Sequence, residues 1–464
     1  MALWCLLVGG LVSIAAGSSP PRSFTSTNLI NNVVRDPASG RVYVGAVNWL
    51  YQLDASLTLE RHRETGPHKD SPHCTPPITS ACPDPKETHN HNKLLLVHPT
   101  NGSLVVCGSL YRGICSLVNL TDVQQTLYYS DSKGEKTYVA STEEDVSVVG
   151  VLSTYTSPDQ HRLDVFLVAK GYGPADGSKL ISTRTLEEHA DWVVFENIVE
   201  ASTVQAGSFV QRYLHHFRHA FNESGYIYFL FSRTAGLGDK ANFTFIARLC
   251  ENDRHYYSYT ELQLNCSHNN QYNKIQAAYV APAGAELARH LTASGEHGEV
   301  IAGDQVLYGV FSSDEDSVGT SALCMYPLKS INRALKRVVS ACYNNKGLID
   351  GKVAVYLPYD TKERNHCEQQ GDYQQKDLAD IYQCGDEFLP SPLAGKAEFA
   401  LPTTESFVRS GMFTAVSVAV ETDHTVAFLG TKGGEVLKVH LTDAPYYYGC
   451  VPGDNTPSLM TFNL

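Results

Sequence analysis

Short runs of apolar residues, broken by glycine and polar turn residues, recur along most of this chain. Examples are Arg41–Leu53, Leu104–Leu117, Asp164–Ile181, Tyr226–Phe231, Val300–Phe311 and Thr425–Leu441. Short runs that are rich in β-branched and aromatic residues and end at turn signals predict β-strands. Few segments have the three- and four-residue spacing of a helix. The pattern therefore predicts an all-β protein.

The runs also repeat at a regular distance. Gly45, Gly108 and Gly171 occupy corresponding places in three successive units, which gives a period of about sixty residues. A unit of that size holds four strands, and radial stacking of such units forms a β-propeller. A string of β-sandwich domains is the alternative, but the chain has no Pro/Ser/Gly-rich linker and no immunoglobulin-type Cys–Trp–Cys spacing.

One helix is predicted at Pro327–Val339. Its apolar positions, three or four residues apart, are Leu328, Ile331, Leu335 and Val338. This spacing places the four side chains on one face of a helix. Because Cys324 and Cys342 flank the segment, it is predicted to be an insertion held onto the propeller.

The cysteines and the N-terminus indicate an oxidising compartment. The chain has 12 cysteines, and their varied separations are typical of a disulfide framework rather than of a zinc site. Residues 1–17 are predicted to be a signal peptide, because Leu3–Ala16 is apolar, uncharged and too short to span a bilayer. No Lys or Arg precedes this apolar run. Cleavage would remove Cys5 and leave an odd number of cysteines.

Glycosylation sequons point to the same compartment. Asn101, Asn119, Asn222 and Asn242 each begin an Asn-X-Ser/Thr pattern. Asn265 also fits the pattern, but a disulfide at the adjacent cysteine is expected to restrict it. These features together predict a secreted protein, or one on the extracellular side of the plasma membrane.

Charge and hydropathy argue against several classes of partner and against a membrane-spanning segment. The net charge is −13 and the chain has no Lys/Arg-rich run, which argues against nucleic acid and anionic membranes as partners. Beyond the predicted signal peptide, no apolar segment is long enough to cross a bilayer. No cofactor is predicted.

Two carboxylate clusters raise the hypothesis of a secreted propeller hydrolase. They are Glu143–Asp145 and Asp314–Asp316, and glycoside hydrolysis commonly uses paired carboxylates. Both clusters lie beside Ser and Gly in predicted surface loops. No nucleophile-elbow motif is present. Catalytic residues are therefore not predicted, and the hydrolase remains an alternative hypothesis.

Metal binding and aromatic contact are the other candidate chemistries. A zinc site is conceivable from His68, His73, Cys74, His89 and His91. Pairing of Cys74 with Cys82 is the favoured interpretation, so no metal site is predicted. The Tyr-rich segment His255–Tyr259 could anchor an interface, but packing within a sheet is favoured.

Eight segments, taken in order, resemble the sema domain of plexins, and most closely that of B-type plexins. They are Val42–Asp54, Gly66–Cys82, Cys107–Cys115, Lys133–Ser141, Gly171–Arg184, Ala247–Tyr259, Ser321–Leu328 and His424–Gly430. The resemblance implies a seven-bladed β-propeller over residues 18–441. It also implies a receptor domain that binds semaphorins, class 4 in particular, through the propeller surface. No short motif identifies the partner-contact residues.

The resemblance further implies five disulfides. They pair Cys74 with Cys82, Cys107 with Cys115, Cys250 with Cys384, Cys266 with Cys324, and Cys342 with Cys367. Cys450 is left without a partner.

After Leu441 the sequence departs from the family pattern. Residues 442–464 are predicted to be a divergent C-terminal tail, so the last blade is expected to be incomplete. The edges of the first and sixth blades would then be uncovered. Because the chain lacks the membrane and cytoplasmic parts of a plexin, a soluble decoy for semaphorin is one expectation and a non-functional truncated product is another.

Overall fold

The computed structural model of this chain is built mainly from β-strands. It describes residues 23–173, 176, 180–199, 204, 213–234, 236, 240–313, 319–359, 367, 377–421, 423–442 and 446–450. The predicted signal peptide, residues 1–17, lies outside the described residues. Some strands alternate buried and exposed positions, and others are buried along their whole length. The predicted β class is confirmed.

Four sheets begin in the first part of the chain, and the strands listed here pair antiparallel within each sheet. Sheet 1 contains β1 (Ile30–Arg35), β2 (Val42–Ala46), β3 (Trp49–Leu53) and β4 (Leu59–Glu64), and a hairpin of β5 (His68–Asp70) and β6 (Lys86–Thr88) follows it. Sheet 2 contains β7 (Asn92–His98), β8 (Ser103–Gly108), β9 (Cys115–Asn119) and β10 (Thr126–Tyr129). Sheet 3 contains β11 (Val148–Thr156), β12 (Arg162–Lys170) and β13 (Ile181–Thr185). Sheet 4 begins with β14 (His216–Glu223), β15 (Tyr226–Thr234), β16 (Asn242–Cys250) and β17 (Thr260–Cys266).

Two more sheets and an insertion follow. Sheet 5 starts with β18 (Lys274–Pro282), helix α1 (Ala285–Ala293), β19 (Gln305–Ser312) and β20 (Thr320–Pro327). The insertion contains helix α2 (Leu328–Asn345), β21 (Leu348–Ile349), β22 (Lys352–Val353), β23 (Val355–Tyr356), helix α3 (Leu378–Ile381), β24 (Leu393–Gly395) and β25 (Leu401–Thr403). Strand β26 (Phe407–Ser410) then completes sheet 5. Sheet 6 contains β27 (Phe413–Glu421), β28 (His424–Thr431), β29 (Val436–His440) and β30 (Tyr446–Cys450).

The sheets are arranged radially. The first strand of each sheet lies beside the first strand of the next, in the order β1, β7, β11, β14, β18, β27. This is the arrangement of a β-propeller. Apolar clusters fill the spaces between neighbouring sheets: Leu167 of sheet 3 packs in one cluster with Phe229 and Phe245 of sheet 4. The central sheets therefore bury both of their faces.

The insertion extends sheet 4 and packs along its outer side. Strands β24 and β25 pair in parallel with β17, and helix α2 packs against these strands. The predicted helix is confirmed and continues to Asn345. Its buried face includes Leu328, Ile331, Leu335 and Val338, the four positions that the apolar spacing identified.

The sheets at the two ends of the series are packed differently. Among the described residues, no contact comparable to those between the other first strands joins β27 to β1. Val33 of β1 is 42% exposed. Part of the outer face of sheet 1 is covered by the N-terminal segment, where the ring of Phe24 lies 5.0 Å from that of Tyr51.

Sheet 6 has a fourth strand that was not predicted. Strand β30 pairs antiparallel with β29, with Lys438 opposite Tyr448. It lies within residues 442–464, which the sequence analysis separated from the sema domain. The described residues thus form six radial sheets, and the seventh blade remains a prediction.

The glycines of the sixty-residue repeat lie where two segments of the chain come too close for a larger side chain. Gly45 lies in β2, Gly108 ends β8 and Gly171 directly follows β12, so all three lie in or directly after the second strand of a sheet. A Cβ atom at Gly45 would overlap the side chain of Asn92, and one at Gly108 would overlap Asn90. At these two positions the second strand of a sheet lies against residues at the start of β7, so there is room only for glycine.

A buried ion pair within sheet 4 accepts hydrogen bonds from, and donates them to, tyrosine hydroxyls of the insertion. Arg233 Nη2 lies 2.6 Å from Glu261 Oε2, and both side chains are 0% exposed. Arg233 also donates to the hydroxyl of Tyr356 at 2.8 Å, and the hydroxyls of Tyr259 and Tyr359 donate to Glu261 Oε1. Burial alone would lower the pKa of Arg233, but Glu261 raises it well above its usual value.

We predict that Glu261→Gln lowers the free energy of unfolding by about 3–5 kcal/mol, because it leaves the Arg233 charge buried without a counter-ion. Urea unfolding followed by fluorescence measures this loss. The matched control is Asp350→Asn, which removes an exposed partner of Arg337 and should cost less than about 1 kcal/mol. Similar losses in the two variants would contradict the assigned role of the buried pair.

We also predict that Gly108→Ala destabilises the fold by about 1–3 kcal/mol, since the added methyl group must displace Asn90 from its hydrogen bonds. Asn90 Oδ1 accepts from the Ser109 amide at 2.9 Å. The control is Gly433→Ala, where the nearest atom to an added Cβ would be 3.7 Å away. Thermal unfolding of both variants checks the prediction, and equal melting temperatures would refute it.

Candidate partner-binding surface

The strand order divides the connections of the propeller between two faces. Connections from first to second strands and from third to fourth strands emerge on one face. The remaining connections emerge on the other. Contacts between sheets agree with this division: the hydroxyl of Tyr43, at the start of β2, donates to the Leu120 carbonyl just after β9. At the opposite face, Asn32 Nδ2 donates to the Asn92 carbonyl at 3.0 Å.

Three of the four predicted glycosylation sites lie on the same face. Asn101 is in the turn between β7 and β8, Asn119 ends β9, and Asn222 is next to last in β14. Asn101 and Asn222 are exposed, and Asn119 is half-buried. We call this side the sequon face. Asn242, at the start of β16, lies on the opposite side and is half-buried.

The opposite side, which we call the loop face, carries the connections from second to third strands and from each sheet to the next. Two of its loops are closed by disulfides, Cys74–Cys82 and Cys107–Cys115. Arg112 Nη2 donates to the Pro72 carbonyl at 2.6 Å, which joins the two loops. Short, cross-linked loops on a rigid scaffold are suited to recognition.

Of the other three disulfides, the first joins sheet 4 to the insertion, the second joins sheets 4 and 5, and the third lies within the insertion. They are Cys250–Cys384, Cys266–Cys324 and Cys342–Cys367. The five pairs in the structure are those that the resemblance implied. The Cys250–Cys384 pair closes the longest segment, with a sequence separation of 134, so it restricts the unfolded chain most in the chain-entropy account.

The residues considered for zinc are not gathered into a site. Cys74 is in a disulfide, the ring of His68 stacks on Tyr111, and His89 Nδ1 lies 2.7 Å from Asn48 Nδ2. In the part of the chain that the structure describes, no three His, Cys, Asp or Glu side chains are grouped to hold a metal ion.

The first acidic cluster lies in a surface loop of the loop face. Glu144 and Asp145 are exposed, and the carbonyls of Glu143 and Glu144 accept hydrogen bonds from Lys93 Nζ at 2.7 and 2.9 Å. The cluster therefore anchors its loop through the backbone and leaves its carboxylates in solvent. The second cluster, Asp314–Asp316, lies outside the described residues.

Two of the three tyrosines of the Tyr-rich segment pack inside the molecule, while Tyr257 is half-buried and His255 is exposed. Tyr256 and Tyr259 are both 0% exposed, and the Tyr256 hydroxyl lies 2.6 Å from Thr183 Oγ1. Burial raises the pKa of the Tyr256 phenol. These side chains are therefore part of the core between sheets 3 and 4 rather than of an interface.

Comparison with known proteins identifies the fold and the family. A family model described as Sema domain matches residues 275–451. Mouse Plexin-B2 is 37% identical over 98% of this chain, and human Plexin-B1 is 35% identical over 91% of it. The chain spans 24% of the first relative's length and 19% of the second's.

Comparison with solved structures gives the same fold. A structure titled Plexin A4 full extracellular region superposes with a TM-score of 0.71 at 26% identity, covering 90% of this chain and 46% of that one. Drosophila Semaphorin 2a, with a TM-score of 0.59 at 14% identity over 92% of this chain and 69% of that one, shares the fold.

These matches define a sema-type β-propeller. The chain belongs to the plexin family and corresponds to the sema domain of its members. Plexin sema domains are receptor domains and not enzymes, so the hydrolase hypothesis is set aside. None of the helices that the structure describes combines the length and hydropathy needed to cross a membrane.

A buried histidine gives the domain a predicted pH response. His215 is 5% exposed, its Nε2 lies 3.1 Å from the Tyr359 hydroxyl, and burial together with the nearby Arg233 lowers its pKa well below 6.5. It is therefore neutral in the folded state, whereas the unfolded chain gains a proton below about pH 6.5. The contribution of this histidine to stability is therefore complete above about pH 6.5 and is lost progressively as the pH falls toward its lowered folded-state pKa.

We predict that His215→Gln makes stability less dependent on pH between about 7.5 and 5. The measurement is the urea midpoint of the wild type and the variant at both pH values. His73→Gln, which changes an exposed histidine, is the control and should retain the wild-type dependence. An unchanged pH dependence in His215→Gln would rule out this histidine as the source.

Proposed function

We propose that this chain is the semaphorin-binding domain of a B-type plexin, placed on the extracellular side of the plasma membrane, with class 4 semaphorins as its partners. Similarity to Plexin-B2 and Plexin-B1 over nearly the whole chain supports this proposal. The five disulfides suit an oxidising compartment.

The observation that carries the proposed binding mode is the distribution of the sequons. Glycans at Asn101, Asn119 and Asn222 would cover the sequon face with bulky, hydrated chains. A stable protein interface needs about 800 Å² of accessible surface on each partner. The loop face carries two half-buried sequons, Asn242 and Asn265, and the disulfide at Cys266 is expected to restrict the second. We therefore place the semaphorin contact on the loop face.

The seventh blade and the decoy role are also part of the proposal. A further sheet between sheets 6 and 1 would cover Val33 and the half-buried Phe428, which alternate along their strands with residues that pack toward the neighbouring sheet. A decoy role requires that the 464-residue chain reach the medium. Secretion from cultured animal cells tests that step.

New glycans test which face binds. Lys86→Asn, Glu135→Asn and Met412→Asn each complete an acceptor pattern on the loop face. We predict that at least one of them lowers binding to a class 4 semaphorin ectodomain by about tenfold or more, because a glycan at the contact excludes the partner. Surface plasmon resonance on purified, fully glycosylated variants measures the affinity.

The matched control places a glycan on the other side of sheet 1. Pro37→Asn completes an acceptor pattern with Ser39 in the exposed turn between β1 and β2. This variant should bind semaphorin as the wild type does. Loss of binding in Pro37→Asn, with normal binding in all three loop-face variants, would place the contact on the sequon face instead.

A further inference from the structure

Large apolar side chains are exposed on the insertion. Ile381, the last residue of helix α3, is 54% exposed, and Phe388 in the loop that follows is 55% exposed. The ring of Phe388 packs edge-on against that of Tyr382, with the two centroids 5.1 Å apart. Half-buried Tyr257, from the connection between β16 and β17, lies against the backbone of Gly385 in the same loop. We call Tyr257, Ile381, Tyr382 and Phe388 the insertion patch.

The segment that carries the insertion patch is anchored to the rest of the domain. Leu378 and Leu389 are buried in one apolar cluster of the core, and the Cys250–Cys384 disulfide joins the segment to the end of β16. Apolar side chains on an anchored segment lose little conformational freedom when a partner covers them. Exposed apolar groups that are clustered in this way are typical of an interaction site.

Carboxylates lie beside the insertion patch. Partial burial raises the pKa of the Tyr257 phenol, and the charges of three nearby carboxylates raise it further. Two more carboxylates belong to helix α3 and to the residue before it. The five are Asp253, Asp386 and Glu387 near Tyr257, and Asp377 and Asp380 at α3.

Two basic side chains lie near these carboxylates, and they leave most of the negative charge uncompensated. Lys336 Nζ lies 2.5 Å from Asp380 Oδ1 and is also close to Asp377. Arg254, which follows Asp253 in the chain, donates to two main-chain carbonyls at the end of β11, at 2.8 and 3.1 Å. Of the five carboxylates, only that of Asp380 forms a salt bridge among the described residues. The insertion patch is therefore apolar with a negatively charged margin.

These features select the chemistry of a partner. Nucleic acid and acidic polysaccharide carry the same sign of charge as the margin and are disfavoured. Arginine can stack its planar guanidinium on an aromatic ring and donate to a carboxylate at the same time. Bulky apolar residues next to such an arginine would cover the rest of the patch. A protein segment that contains both kinds of residue therefore matches the insertion patch.

We propose that the insertion patch binds a segment of another protein in which arginine alternates with bulky apolar residues. The guanidinium stacks on Phe388 and pairs with Glu387, while the apolar side chains cover Ile381 and Tyr382. This surface goes beyond the proposed semaphorin contact, because it lies on the insertion, and the connection that carries Tyr257 emerges on the sequon face rather than on the loop face.

Blocked tetrapeptides test this chemistry. The probes are acetyl-Leu-Arg-Leu-Arg-amide, acetyl-Leu-Glu-Leu-Glu-amide and acetyl-Gly-Arg-Gly-Arg-amide, each titrated against the purified, fully glycosylated chain by saturation-transfer NMR. The first probe should bind saturably and about tenfold more tightly than either of the others, since it alone supplies both arginine and bulky apolar side chains. No saturable binding of the first probe, or equal binding of either other probe, would overturn the proposal.

Matched variants test the location. Ile381→Ser and Glu387→Gln should each weaken binding of the Leu-Arg-Leu-Arg probe by about fivefold to tenfold. The controls are Ile301→Ser and Glu299→Gln, which change an isoleucine that is 57% exposed and an exposed glutamate in the connection between α1 and β19. They should bind the probe as the wild type does, and thermal unfolding verifies that all four variants are folded. Unchanged binding in either patch variant, or an equal loss in its control, would refute the assignment. The probes contain no semaphorin, so their failure would leave the proposed function untouched.

Discussion

Face-to-face packing of neighbouring sheets is the constraint on which the rest of this structure depends. A sheet that is apolar on both faces must be covered on both sides, and a radial series achieves this for every central sheet. Leu167 of sheet 3 and Phe229 of sheet 4 share one such interface. Because each sheet repeats the same strand order, all turns of one kind emerge on the same face. The packing therefore separates a sequon face from a loop face, and the proposed binding mode rests on that separation.

The insertion is tied to this scaffold by two different kinds of interaction. The Arg233–Glu261 pair is fully buried and completed by tyrosine hydroxyls from both the sheet and the insertion. The long-range Cys250–Cys384 disulfide links sheet 4 to the insertion covalently and lowers the conformational entropy of the unfolded chain. Together they keep the outer side of sheets 4 and 5 in place. The proposed contact, in which loops from several sheets meet one partner, needs such rigidity, because ordering loose loops on binding would cost affinity.

Much of this fold was predictable from local pattern, and the site was not. The spacing of Gly45, Gly108 and Gly171 and the apolar stripe of helix α2 are periodic signals, and the structure places them where the periods predict. The fourth strand of sheet 6, Tyr446–Cys450, was not predicted because the sequence analysis set the residues after Leu441 apart from the family, although the family model matches as far as residue 451. The parallel pairing of β17 with β24 and β25 joins segments far apart in sequence. Arg112 and Pro72, whose hydrogen bond joins the two disulfide-closed loops of the loop face, meet only through the packing of the fold, and neither has a local sequence signal.

Hydrogen exchange of the glycosylated chain, measured by mass spectrometry with and without a class 4 semaphorin ectodomain, tests the central claim most directly. Slowed exchange on complex formation reports where the partner covers or orders the backbone. Our account predicts protection in connections of the loop face and unchanged exchange in the turns that carry Asn101 and Asn222. Protection concentrated in those sequon-face turns, or no complex at all, would contradict it.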